Sequence, residues 1–347
     1  MIKKINIYDA LKKDSICFID VRSPMEFNKD TVPGAINLPI LDNQERETVG
    51  YIYTQINKEK AKEMGLEYAS KKLPLYYKKI KELQQNNKEI ALFCYRGGMR
   101  SNSLAKVLDI MGINVYVIDG GYKSYRKYVI DSIDKYSKKI KCIVLHGYTG
   151  VGKTKILVKL KKEGHSVLDL EYLARNSGSV FGNIVFNNQF ISQKKFESSI
   201  VEELKDAPSK YIFIESESKR IGNCIVPDPI FEKMESGFHI LINTNMENRI
   251  KNIIEDYVYV EDNCRDEALI NSIDKLRKRI GNSICDGLIN KIQLNDYKYV
   301  CEKLMVEYYD PLYQYSIDKI SKYDKIIMYK NLDDAVKNLI EFENKLL

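Results

Sequence analysis

Two short loops in this chain carry residues spaced for chemistry. Cys94-Tyr95-Arg96-Gly97-Gly98-Met99-Arg100-Ser101 sets a cysteine ahead of two glycines, two arginines and a serine. Successive amides of such a loop and the start of a helix favour an anion, and the same field lowers a thiol's pKa, with Arg96 and Arg100 adding positive charge. Glycines and arginines make a poor core, so Cys94 reads as a reactive thiol, whereas Cys17 and Cys142, inside apolar runs, read as small buried hydrophobes. Gly147-Tyr148-Thr149-Gly150-Val151-Gly152-Lys153-Thr154 has the Gly-x4-Gly-Lys-Thr spacing of a phosphate loop. The amides from Gly147 through Thr149, Gly150 and Gly152 cradle phosphate oxygens, Lys153 adds a point charge, and Thr154 is placed to reach a magnesium ion. Glu215, at the end of an apolar run, takes the place of an acidic partner for a metal or metal-bound water. The loop recognises adjacent phosphates and does not by itself mean ATP, because any diphosphate ester would fill it. A thiol loop joined to a phosphate loop implies that a chalcogen and a phosphorylated reagent meet.

The elements that must position these loops alternate between strands and helices. Ile16–Val21, Ile90–Phe93 and Val115–Ile118 read as strands, with Cys94 delivered at the end of the second and a helix from Ser101 to Met111. Pro24 opens a helix, Val32–Pro39 is a short apolar run, and a long polar stretch from Asp42 to Gln85 has helical spacing. A second series begins with Lys141–His146 before the phosphate loop and continues with Ser166–Leu170, Tyr211–Ile214, Phe238–Ile242 and Lys325–Tyr329 as strands. Helices are expected over Asn245–Tyr257, Asp266–Ile280 and Leu288–Tyr309. This predicts an α/β fold of parallel sheets flanked by helices, in two domains. The expected boundaries are residues 1–125, a linking helix over 126–139, and a phosphate-loop domain over 140–347 with a helical C-terminal portion.

At 347 residues the chain suits two cores, and its 44% hydrophobic and 30% charged composition is that of a soluble protein. The absence of an apolar run of about 20 residues argues against membrane insertion, and the N-terminus has no secretory pattern, so a cytoplasmic location is expected. Seven cysteines without close pairs, and three histidines, argue against a disulfide framework or a zinc site, and no metal-ligand set is assigned. A net charge of +7 is compatible with a polyanionic partner or with a solvated lysine-rich surface.

The run Phe18-Ile19-Asp20-Val21-Arg22-Ser23-Pro24-Met25-Glu26-Phe27, then Val32–Pro39, then the Cys94 loop, resembles a rhodanese domain, which implies a persulfide- or perselenide-carrying cysteine. The Cys94 to Arg100 step also resembles the cysteine-x5-arginine loop of rhodanese-fold phosphatases, suiting a tetrahedral anion such as selenophosphate. A rhodanese domain followed by a phosphate-loop domain resembles the tRNA 2-selenouridine synthase family. Asp169–Ala174 with Ser177–Gly182, Glu215–Gly222, Tyr309–Tyr313 and the Asp42–Lys72 insertion extend the likeness over nearly the whole chain. The resemblance implies a transferase acting on the wobble 2-thiouridine of tRNA. Geranyl diphosphate alkylates the sulfur, and selenophosphate-derived selenium then replaces it. Lys153 and Arg220 would meet the charge on the departing diphosphate, and an enzyme supplying selenophosphate would be a partner.

Two other readings stay open: an ATP-dependent kinase or sulfurtransferase with a rhodanese-type persulfide carrier, and a tRNA-binding protein whose loops are catalytically idle. Arg249 and Lys251, with Lys275, Arg277, Lys278 and Arg279, are candidates for tRNA phosphate contacts or for solvated helix faces. Tyr95 and Tyr309 are candidates for stacking on an anticodon base.

Overall fold

The computed structural model describes residues 2–85, 89–176, 181, 191–257 and 265–347. They divide into two compact units, Met1–Ser132 and Ile133–Leu347. The division falls inside the helix Gly121–Ser137, the segment read as a linker, which also buries Tyr122, Tyr125 and Val129.

The first unit is built on a sheet of β1 (Lys3–Ile5), β2 (Ile16–Asp20), β3 (Ile36–Asn37), β4 (Glu89–Phe93) and β5 (Tyr116–Ile118), in the order β1-β5-β4-β2-β3. All its pairings are parallel. β2 and β4 run in register from Ile16 opposite Glu89 to Asp20 opposite Phe93, so the chain leaves both at the same edge. Loops that follow parallel strands gather there, and this register brings Arg22 and Cys94 to one side of the sheet. The apolar runs of β2 and β4 have no polar alternation because helices cover both faces. The helix Pro24–Lys29 starts on a reciprocal cap between Ser23 and Glu26 with Pro24 in its first turn, as the sequence suggests. The insertion forms helices Asn43–Tyr51 and Lys58–Ser70, joined by a π-helical turn at Ile52–Ile56.

The second unit repeats the plan with β6 (Lys141–His146), β7 (Val167–Leu168), β8 (Tyr211–Glu215), β11 (Phe238–Asn243) and β12 (Lys325–Met328), ordered β12-β11-β6-β8-β7 and parallel throughout. A small antiparallel hairpin, β9 (Arg220–Ile221) and β10 (Cys224–Ile225), follows β8. The helices between Arg265 and Asp318 close over a separate apolar core that includes Leu269, Ile273, Leu276, Leu288 and Ile292. Among the described residues no helix is long and apolar enough to cross a membrane.

Candidate functional site

In the first unit Cys94 follows β4 and lies just ahead of the helix Met99–Ile110. The Gly98 amide donates to its Sγ at 3.2 Å and the Ser101 hydroxyl at 3.3 Å. Burial opposes ionisation of this thiol, but the Ser101 hydroxyl and amide, the Arg100 charge and the Arg96 amide outweigh it, and the pKa lies below the usual thiol value. Arg100 itself is held by Glu26 at 2.9 Å, so part of its charge is already matched. Arg96 has no acidic partner among the described residues and sits beside the Tyr95 ring.

The loop's shape is dictated from the strand-to-helix corner after β5. Tyr122 and Lys123 donate their amides to the carbonyls of Cys94 and Tyr95, at 2.8 and 2.9 Å. This approach leaves no room for side chains. A Cβ on Gly97 would lie 2.7 Å from the Ile118 carbonyl oxygen, and one on Gly121 would overlap the Cys94 carbonyl and the Gly97 amide. Both glycines also adopt positive φ. Asp20 and Arg22 of the rhodanese-like run form a buried pair at 2.6 Å, with the guanidinium 3.7 Å from the Tyr122 ring centre. Their work is to brace this corner.

In the second unit the phosphate loop runs between β6 and the helix Lys153–Lys162, with Gly147, Gly150 and Gly152 all at positive φ. Four of its carbonyls are held by side chains. The Arg249 Nε donates to Thr149 O at 2.9 Å, Asn252 to Gly150 O at 2.9 Å, Tyr329 to Val151 O at 3.0 Å and Lys153 to Gly147 O at 3.0 Å. With carbonyls so engaged, the loop's amides are free to point at an anion. Arg249 is oriented by two bonds to Asp310, at 3.0 and 2.5 Å.

Beside Lys153 and Thr154 three carboxylates converge. Glu171, on the helix Leu170–Ala174, and Glu215 and Glu217, at and after the end of β8, bring one oxygen each within 4.8 Å of the others. Glu215 is 2% exposed, and its Oε1 has no hydrogen-bond partner. Burial pushes its pKa up to about 8, against the pull of Lys153 and with the push of Asp169 and Glu217; a bond from Thr154 also favours the charged form. Burial raises Glu171 and Glu217 as well. The donor set is all oxygen and includes an orphaned buried one, which fits a hard divalent cation. Of these three the sequence singles out only Glu215; Glu171 and Glu217 lie in the stretches behind the family resemblance, without a spacing that marks them as partners.

Several expectations change. Arg249 is not a surface contact for RNA: it is 6% exposed and locked to the phosphate loop. Tyr309 is also buried, in the helical core, and cannot stack on a base there. Arg277 is taken by Asp274 and Asp286, and Arg279 by the Tyr308 hydroxyl. Tyr95 is exposed at the mouth of the thiol loop. Arg220 is exposed on β9, where its Nε donates to Gly222 O at 3.2 Å. The stretch 177–182 lies outside the described residues except for Phe181.

Fold and loops define the class: a rhodanese-like thiol domain and a phosphate-loop domain on one chain. Residues 6–128 match the rhodanese-like domain, and residues 140–345 match the tRNA 2-selenouridine synthase AAA domain. The tRNA 2-selenouridine synthase of Shewanella halifaxensis is 30% identical over 89% of this chain and 90% of its own length. That of Nitrosomonas europaea is 31% identical over 87% and 89%, and that of Marinobacter nauticus 31% over 89% and 90%. The chain belongs to the tRNA 2-selenouridine synthase family.

Proposed function

We propose that this enzyme converts the wobble 2-thiouridine of tRNA to 2-selenouridine by way of an S-geranyl intermediate. In the first step the thiocarbonyl sulfur attacks C1 of geranyl diphosphate. An S–C bond forms, the C–O bond breaks, pyrophosphate leaves and the base gives up its N3 proton. In the second, selenium from selenophosphate adds at C2 and geranylthiol departs, while water takes the phosphoryl group as phosphate. Alkylation is what makes the sulfur a competent leaving group.

The observation that carries this reading is an apolar recess of about 70 Å³ adjoining the phosphate loop, whose walls must part to admit a ten-carbon chain. Thr149 forms one part of its wall, and Ile253, Ile273, Val300, Leu304 and Met305 form much of the rest. A diphosphate in the cradle would have this recess beside it, since Thr149 belongs to both. Such walls stabilise a buried hydrocarbon chain by about 25 cal/mol per Å², yet give a ribose or adenine few hydrogen-bond partners. Lys153 stands at the loop to meet the charge of departing pyrophosphate. A divalent cation on Glu171, Glu215 and Glu217 would supply further neutralisation of that charge. In the first unit, the Gly97-Gly98 amides, Arg96 and Arg100 suit selenophosphate, with Cys94 as the nucleophile that receives selenium or orients it.

Titration of the full chain separates this from the nucleotide-driven alternative. Geranyl diphosphate is expected to bind roughly tenfold or more tighter than inorganic pyrophosphate, and ATP no tighter than pyrophosphate. ATP binding more tightly than geranyl diphosphate would favour the alternative.

A further inference from the structure

The cleft above Cys94 is far larger than a tetrahedral anion needs. Its volume is about 680 Å³, within the roughly 300–1,000 Å³ of sites that hold whole small molecules. Cys94, Gly98 and Arg100 form part of its lining, and the other side belongs to the Asp42–Lys72 insertion through Val49, Tyr51 and Tyr53. Tyr51 is 61% exposed and Tyr53 46%, a large apolar area for a helix and π-turn to leave in water beside a reactive thiol. Of the charged side chains lining the cleft, three are arginines, Arg46, Arg96 and Arg100, and one, Glu47, is acidic. Lys58 approaches the Tyr53 ring at 5.8 Å and adds a further cation at the rim.

Exposed aromatic rings among cations, over a nucleophile, are what an unstacked nucleotide of an RNA loop requires: faces for the base and positive charge for the flanking phosphates. We infer that this cleft seats the target base, with Tyr51 and Tyr53 as stacking faces and Lys58 at the rim facing the flanking phosphate. The insertion is thus the element that holds the base over Cys94. The tyrosines are positioning residues. This rests on the reaction proposed above for its RNA substrate, but the seat can be tested without any turnover.

An anticodon stem-loop carrying 5-iodouridine at the wobble position, irradiated with the full-length protein, should crosslink to a peptide containing Tyr51 or Tyr53. Crosslinks confined to other parts of the chain would overturn the seat. With an S-geranyl-2-thiouridine stem-loop and selenophosphate, the Tyr51→Ala/Tyr53→Ala protein should show a rise in KM of roughly tenfold or more. Tyr51→Phe/Tyr53→Phe should restore it, because stacking needs the ring and not the hydroxyl. An unchanged KM in the alanine protein, or no rescue by phenylalanine, would also overturn it. Crosslinking at the tyrosines with no selenium product from the wild type would support the seat while refuting the reaction.

Discussion

Cys94 and Glu215 show two opposite uses of burial. At Cys94 burial is outweighed, because the Gly98 amide and the Ser101 hydroxyl reach the sulfur and the loop carries arginines. At Glu215 burial wins, and the carboxyl titrates near pH 8 instead of near its ordinary 4.5. A carboxyl raised on folding contributes stability that is fully present below its unfolded value and is lost as pH rises through the folded one. The ligand-free protein should therefore lose stability between about pH 4.5 and 8, and Glu171 and Glu217, shifted the same way, should add to the loss. Melting curves across this range test it. Glu215→Gln should flatten the profile, and a variant profile that overlays the wild type would contradict the assignment.

At the scale of elements, both cradles are shaped by neighbours as much as by their own sequence. Gly121 lies 27 residues after Cys94 in the chain, yet it sets the thiol loop's path by direct backbone contact. Gly121→Ala places a Cβ at positive φ and against two backbone atoms, so it should destabilise the first unit by about 1–3 kcal/mol and reduce thiol reactivity. Urea unfolding with thiol-alkylation rates measures both, and an unchanged alkylation rate would show that the corner does not shape the loop. β6 spans the residues expected, and β2, β4, β8 and β11 differ from expectation only at their ends, because buried parallel strands are continuous apolar runs. β1 was hidden by its two lysines at a sheet edge, and β9 and β10 are too short to carry a pattern. The glycines and Lys153 of the phosphate loop were legible because their spacing is local. The Arg249 clamp and the Glu171–Glu217 grouping were not, since each joins residues brought together only by the fold.

At the scale of the molecule, one chain carries two parallel-sheet units, each ending strands in an anion cradle, with chemistry assigned to different sides of a leaving-group problem. The phosphate-loop unit would make the sulfur able to leave, and the thiol unit would bring the selenium that replaces it. In the proposed reaction the order is obligatory, so blocking each cradle should stop the reaction at a different nucleoside. The direct measurement is nucleoside mass analysis of a 2-thiouridine anticodon stem-loop treated with the full protein, geranyl diphosphate and then selenophosphate. Wild type should pass through S-geranyl-2-thiouridine to 2-selenouridine, Lys153→Ala should leave 2-thiouridine unchanged, and Cys94→Ser should accumulate the geranyl adduct. Geranylation by Lys153→Ala at the wild-type rate, or 2-selenouridine formed without a geranylated species, would contradict the account.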